Sequence, residues 1–379
     1  MKIFIPRETH ENEQRVPIIP TDAEKLVKAG AEVMIEKGMG NSCHFSDDQY
    51  EKIGAAVSKN RSTGFKSADM VLRLNKPKRE DILLLKKGNI HVSFMDPFNE
   101  RQLVKSLANQ GVSTICMEMI PRTTLAQKMD ALSSQASLGG YVAVILAAER
   151  LNKVFPMMMT PAGTIQPARV FIIGAGVAGL QAIATAKRLG ARVEAFDTRP
   201  VVAEQVKSLG ARFVEIDLGE TGQTKDGYAR ELTSEQLQKQ REAMAKICAV
   251  SDVVITTAQV FGRRAPLIVT KEMIAGMKPG SLVVDMAIAG GGNVEGAVYG
   301  KEKEVNGVRI IGLDNLPAHV AAHASQMYST NLTGLVEHFW NKEAKSFELK
   351  LEDEIIKGCL ITHDNKICNE MLQKHYAQK

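Results

Sequence analysis

Residues 169–199, RVFIIGAGVAGLQAIATAKRLGARVEAFDTR, constrain this chain more than any other stretch. An apolar β-branched run leads into Gly174-x-Gly176-x-x-Gly179, a helical pattern opens there, and a second apolar run closes at Asp197. Alone, the glycine spacing is a weak signal; between a strand and a helix, with an acid about 20 residues further on, it is the fingerprint of a dinucleotide-binding βαβ unit. Gly174 makes the turn, Gly176 lets backbone approach a pyrophosphate at the helix N-terminus, and Gly179 lets the helix close on the strand. Asp197 accepts from the adenosine ribose hydroxyls and repels a 2′-phosphate, so NAD(H) is expected over NADP(H). Arg199 complicates this, because an arginine nearby can accommodate that phosphate; the plainer expectation is that it faces solvent or neutralises the cofactor phosphates.

The rest of the chain repeats this alternation. KIFIP, AEVMIEKG, DMVLRLN, NIHVSFM and STICMEMI precede the fingerprint; RVEAFD, RFVEID, DVVITT, SLVVDMA and VRIIGLD follow it. Short apolar runs separated by helical segments are the pattern of parallel strands buried on both faces. The expected fold is α/β: two Rossmann-like doubly wound parallel-sheet domains linked by long helices. Ser133 or Ser134 is expected to cap a helix carrying the chain out of the first domain, and a helix after Pro317 to carry it back. Domain one would be residues 1–135 with 320–379, ending in a helix and a hairpin turning at His363–Asn365. Domain two, the NAD(H)-binding domain, would be 136–319, with the site in the cleft between them. The first domain's opening turn, IPRETHENEQRV, has no glycine, so one dinucleotide per chain is expected.

Composition narrows the class. The chain has 379 residues, 44% of them hydrophobic, and a net charge of +5 with no block of like charges, so no nucleic-acid surface is read. No apolar run reaches the ~20 residues of a bilayer span, and MKIFIPRE reads as a strand and not as a signal peptide. Five scattered cysteines fit a reduced, cytoplasmic protein without a disulfide framework. His319 and His323, four apart on an expected helix, read as core or interface residues, and no metal site is expected. MMMTPAG reads as a packed inter-domain contact more than as a binding surface. The polar connection around Gly227 and Tyr228 is longer than the ~2–6 residues usual in α/β units, so it is either a lid or a solvated excursion.

PRTTLAQKMDALSSQ, residues 121–135, gathers Arg122, Gln127, Asp130 and Ser133 between two apolar elements. Together with the fingerprint and PRETHENEQRVPIIP, it resembles the family that joins alanine dehydrogenases to nicotinamide nucleotide transhydrogenases, over nearly the whole chain. Dehydrogenase members use an Arg and a Lys for substrate, a His as acid/base and an Asp near the nicotinamide. Arg15 and Lys76 match the first pair, but SFMDPF lacks the His and Ala289 stands in place of the Asp, so the proton chemistry has lost its groups. Hydride transfer between two nicotinamides needs none. The resemblance therefore implies the NAD(H)-binding component of a proton-translocating transhydrogenase, with an alanine dehydrogenase-like enzyme as the alternative and a catalytically silent NAD sensor as a third reading. It implies that Arg122, Asp130 and Ser133 hold the nicotinamide carboxamide and that Gln127 reaches toward the partner's nucleotide. Val177, Thr198, Arg199 and Gly227 would line the NAD site, with Tyr228 closing over it. It also implies a homodimer, NADP(H)-binding and membrane-spanning partner subunits, and a place on the inner face of the cytoplasmic membrane.

Overall fold

The computed structural model describes residues 1–219 and 233–378, which form two compact units: Met1–Gln135 with Ala318–Lys379, and Ala136–Pro317. Each is built on one large, mostly parallel sheet with helical connections.

In the first unit the sheet has eight strands, in the order Lys366–Ile367, Leu360–His363, Ser113–Cys116, Ile90–Ser93, Met70–Leu72, Lys2–Ile5, Glu32–Glu36 and Ala56–Ser58. The six strands from Ser113–Cys116 onward pair in parallel; the last two strands of the chain extend the sheet antiparallel as a hairpin. Its turn residues Asp364 and Asn365 have φ of 46° and 61°, the left-handed conformation that two-residue hairpins need and Asp and Asn tolerate. The chain does not end there. Asn369 accepts from the backbone N–H groups of Met371 and Leu372 and starts one more helix, Glu370–Ala377, beyond the expected elements.

In the second unit the order is Arg212–Phe213, Arg192–Phe196, Arg169–Ile173, Val253–Thr256, Leu282–Asp285, Val308–Ile311 and Glu302–Val305, parallel except for the last pair. Every residue of Val253–Thr256 and Leu282–Asp285 is buried, as expected of strands covered on both faces. Sequential strands run outward from the centre in both directions in each sheet, except that Glu302–Val305 lies outside Val308–Ile311 in the second. The order therefore reverses between Arg169–Ile173 and Val253–Thr256 in the second unit, and between Lys2–Ile5 and Met70–Leu72 in the first. Such reversals open a crevice at the carboxyl ends of the strands.

Three helices carry the residues singled out in the sequence. The boundary helix spans Ala131–Arg150, the fingerprint helix Val177–Arg188 and the return helix Ala321–His338. By length and composition the boundary helix does reach what a bilayer span needs, which corrects the expectation that no segment does; half of it is buried within the fold. Its glycines serve close packing: a Cβ on Gly140 would lie 2.2 Å from the Ala178 carbonyl oxygen of the fingerprint helix. MMMTPAG is not packed: Met158–Thr160 and Gly163–Ile165 form an exposed two-stranded hairpin.

Candidate functional site

The second unit carries the glycine turn at its strand-order reversal. Gly174 has φ of +97°, which favours glycine. A Cβ on Gly179 would lie 1.8 Å from the Gly174 carbonyl oxygen, so the helix can close over the turn only without one. Gly176 differs: its φ of −78° is open to any residue, and a Cβ there would meet nothing within 4 Å. The space above Gly176 is left open by the described residues, and none of their side chains caps the helix that starts behind it. An uncapped N-terminus with bare backbone is an anion cradle. Val177 is exposed at its mouth. Thr257, at the end of the neighbouring strand, donates to the Gly174 carbonyl at 3.1 Å and pins the turn from the other side of the reversal.

Asp197 stands at the end of the next strand, as its spacing predicts, but it is already engaged. Its Oδ2 accepts from the Ala175 N–H at 2.7 Å, and its Oδ1 from the Arg199 N–H at 2.9 Å. The Arg199 guanidinium folds back onto both oxygens, Nε to Oδ1 at 2.9 Å and Nη2 to Oδ2 at 2.7 Å. That corrects the expectation that Arg199 faces solvent. Hydrogen bonding to Asp197 pushes the guanidinium pKa further up, against the opposing effect of partial burial. Thr198 between them is half-buried. Gly227 and Tyr228 lie outside the described residues.

In the first unit, Asp130 and Ser133 come together at the start of the boundary helix. Asp130 Oδ1 accepts from the Ser133 N–H at 2.9 Å, and Oδ2 accepts from the Ser133 hydroxyl at 2.6 Å. Asp130 is thus the cap, which neither Ser133 nor Ser134 is. Ser133 spends its proton on Asp130 and keeps its lone pairs as acceptors. Arg122 and Gln127 are exposed on the preceding loop. Ser134 donates to Asn331 Oδ1 at 2.7 Å, and Asn331 Nδ2 donates to the Lys128 carbonyl at 2.8 Å, tying the loop to the return helix. Sequence reasoning misses Asn331 because its partners are about two hundred residues away and leave no local pattern.

Two family models match: alanine dehydrogenase/PNT, N-terminal domain, over residues 4–139, and alanine dehydrogenase/PNT, C-terminal domain, over residues 143–370. The chain belongs to the alanine dehydrogenase/PNT family. It is 41% identical to the first part of the NAD(P) transhydrogenase subunit alpha of Rhodospirillum rubrum, covering 98% of this chain and 99% of that one. It is 29% identical to the alanine dehydrogenase of Halomonas elongata, over 97% and 94%. Among solved structures, the transhydrogenase from Sinorhizobium meliloti superposes with a TM-score of 0.87 at 43% identity, covering 97% of this chain and 100% of that one.

Arg15 and Lys76, the residues matched by resemblance to a dehydrogenase's substrate pair, both have acidic partners. Arg15 donates from Nε and Nη2 to Glu13 and from Nη1 to Gln135. Lys76 reaches Glu100 at 2.6 Å at a half-exposed position. The segment where a catalytic His is expected carries Met95 and Asp96, whose N–H groups are both held by the half-buried Glu118. Ala289 lies in the short turn Ile288–Gly290, which is organised by the buried Asp285 through the N–H groups of Ala287, Asn293 and Val294. Among the described residues no group of His, Cys, Asp or Glu could hold a metal; His319 and His323 fall on different elements and are exposed, not core.

Proposed function

We propose that this chain is the NAD(H)-binding component of a proton-translocating transhydrogenase, exchanging hydride with NADP(H) held by a partner subunit. The observation that carries the reading is the open dinucleotide cradle at Gly174–Gly179 in the second unit; in the first unit, separately, the Asp130–Ser133 turn offers the acceptor atoms a carboxamide needs. The relatives at 41% and 43% identity are themselves named as transhydrogenases.

The residues fit the cofactor. The open space at Gly176 and the uncapped helix N-terminus suit a pyrophosphate, with Val177 and Thr198 beside it. Asp197 takes the ribose hydroxyls once the Arg199 side chain gives up its place on the carboxylate; the two backbone N–H bonds can stay. A carboxylate there disfavours a 2′-phosphate, which selects NAD(H). Gly227 and Tyr228 complete the site in this reading. Bound nicotinamide supplies the hydride, which passes from its ring to that of the second nucleotide, so NADH becomes NAD+ as NADP+ becomes NADPH. The chain orients: Arg122 donates to the carboxamide oxygen, and Asp130 and the Ser133 oxygen accept from its N–H groups. Gln127 faces the partner's nucleotide. Fixing the ring and excluding water suffices, because no proton is exchanged at either carbon. A homodimer, a separate NADP(H)-binding subunit and a membrane-spanning subunit, with this chain peripheral on the cytoplasmic face, complete the assembly.

Two assays decide it. The chain mixed with an NADP(H)-binding transhydrogenase domain should pass hydride between NADPH and NAD+, and the chain alone with alanine and NAD+ should not reduce NAD+. Turnover of alanine by the chain alone would replace this reading with an amino-acid dehydrogenase.

A further inference from the structure

Arg15 is 7% exposed, and each of its guanidinium nitrogens donates within the first unit. Nε and Nη2 fork onto Glu13 at 2.9 and 2.7 Å, and Glu13 is steadied by Asn75 Nδ2 at 2.9 Å. Burial pushes the Glu13 carboxyl pKa up, but the hydrogen bond and charge of Arg15, with the Asn75 amide and the Arg15 N–H, together hold the group below its ordinary value. The remaining nitrogen, Nη1, donates to Gln135 Oε1 at 2.9 Å, and Gln135 Nε2 donates to the Ala324 carbonyl of the return helix at 3.0 Å. Arginine can only donate and a carbonyl can only accept, so the Gln135 amide cannot be turned round. It is a brace with fixed ends on the boundary helix, two residues beyond Ser133 and five beyond Asp130.

Stability alone does not call for this arrangement. A buried ion pair is commonly no better for folding than apolar side chains of the same size. What the fork supplies is geometry: two directions at once from one planar group. Asn331 holds the turn through Ser134 and Lys128; Arg15 holds it through Gln135.

We infer that Arg15 is a positioning residue for hydride transfer, acting through Gln135 to set the Asp130–Ser133 turn. The inference rests on the transhydrogenase reading above. Arg15 touches neither reacting atom in it. It fixes the carboxamide's partners, and so the ring angle, and an error of about 1 Å in such placement can cost on the order of 100-fold in rate.

The test is a set of variants, Arg15→Lys, Arg15→Gln, Gln135→Leu and the pair Arg15→Gln with Gln135→Leu, each assayed with the NADP(H)-binding domain, by NADH calorimetry and by thermal melting. Arg15→Gln should lower kcat by about 30- to 100-fold while the NADH Kd stays within about two-fold. Gln135→Leu should lower kcat alike, and the pair should be no slower than either single change. Arg15→Lys keeps the charge on Glu13 but cannot reach Gln135 at the same time, so it should restore the melting temperature and not the rate. A wild-type rate in Arg15→Lys, or losses that multiply in the pair, would show that Arg15 only balances Glu13 and would overturn the inference. If Arg15→Gln does not fold, Arg15→Lys and Gln135→Leu decide alone. If the wild type passes no hydride, the transhydrogenase reading falls instead.

Discussion

The two sheets share the order of their first five strands and put their reversals to opposite uses. In the second unit the strand Arg169–Ile173 is joined to its helix by residues 174–176, glycine-rich and bare, leaving backbone and space for a phosphate. In the first unit the strand Lys2–Ile5 is joined to the helix Pro20–Lys28 by residues 6–19, and that longer loop fills the same crevice itself. Glu8 accepts from the N–H groups of Leu74 at 2.7 Å and Asn75 at 3.2 Å, beyond the end of Met70–Leu72, and pairs with the fully buried Arg73. Arg73 continues to Asp81, Asp81 to Arg61, and Arg61 to Glu36. One reversal is prepared for an anion; the other already holds one, supplied by the chain. A doubly wound sheet offers a site at its reversal, and the connection decides whether the site takes a ligand or becomes a support.

The comparison can be broken most severely at Glu8. Glu8→Ala leaves Arg73 buried and short of a partner and strips the acceptor from two N–H groups, so urea unfolding should show a loss of about 3–5 kcal/mol. Measured well below the denaturation midpoint, NADH affinity should hold; if it falls in proportion, the first reversal is not merely a support. Gly176→Val asks the converse. Its Cβ meets no protein atom, so stability should stay within about 0.5 kcal/mol, while a branched side chain in the cradle should cost about 1–3 kcal/mol of NADH binding, which calorimetry reads directly. Unchanged affinity would mean the open space is not the pyrophosphate site.

Asp197→Asn is expected to act more gently, because a charged acceptor is lost but Arg199 then competes less for the remaining carbonyl oxygen. NADH should weaken by about ten-fold, near the low end for hydrogen bonds to a charged group, and the preference over NADPH should narrow. An undiminished preference would place nucleotide selection elsewhere.

Acid should separate the two units by the smallest margin. Burial opposes ionisation of Glu8, but Arg73, His10 and the Leu74 and Asn75 N–H groups hold its pKa down to about 2 from 4.5. Its contribution is therefore complete above pH 4.5 and is lost as pH falls toward 2. His91 is buried beside this network, and burial, then Arg73, press its pKa to about 3 from 6.5. Between those values the unfolded chain takes up a proton that the folded chain refuses, so stability falls as pH falls from 6.5. Asp285 in the second unit shifts the other way: burial raises its pKa despite three backbone donors, so lowering the pH through its range relieves the folded state. The one tryptophan, Trp340, lies in the first unit with its Nε1–H on the Ala29 carbonyl. Its emission in an acid titration should change between pH 6.5 and 3, at higher pH in wild type than in His91→Asn. Coincident curves would remove His91 from the account.

Much of the fold is legible in the sequence because buried parallel strands need contiguous apolar residues: each of the eleven apolar runs singled out there contains a strand. The glycine fingerprint is legible because its constraint is local, a turn and a close approach within six residues. Other features are not. Sequence reasoning gives the cap of the boundary helix to serine and not to Asp130, since both residue types accept from helix N–H groups and only geometry chooses. Arg199 reads as outward because nothing local tells that Asp197 turns it inward. VLRLN reads as a strand, but its arginine is buried only because Glu8 and Asp81 come from other elements. The Gln135 brace joins residues 15, 135 and 324, and no window on the sequence contains them.

The central claim is that only the second reversal takes a dinucleotide. Isothermal titration of NADH and then NADPH into the wild-type chain tests it most directly, with Gly176→Val beside it. The account predicts one NADH per chain, much weaker NADPH, and a weakening of that single site by about 1–3 kcal/mol in the variant. Two NADH per chain, or a site that survives Gly176→Val with its affinity intact, would contradict it.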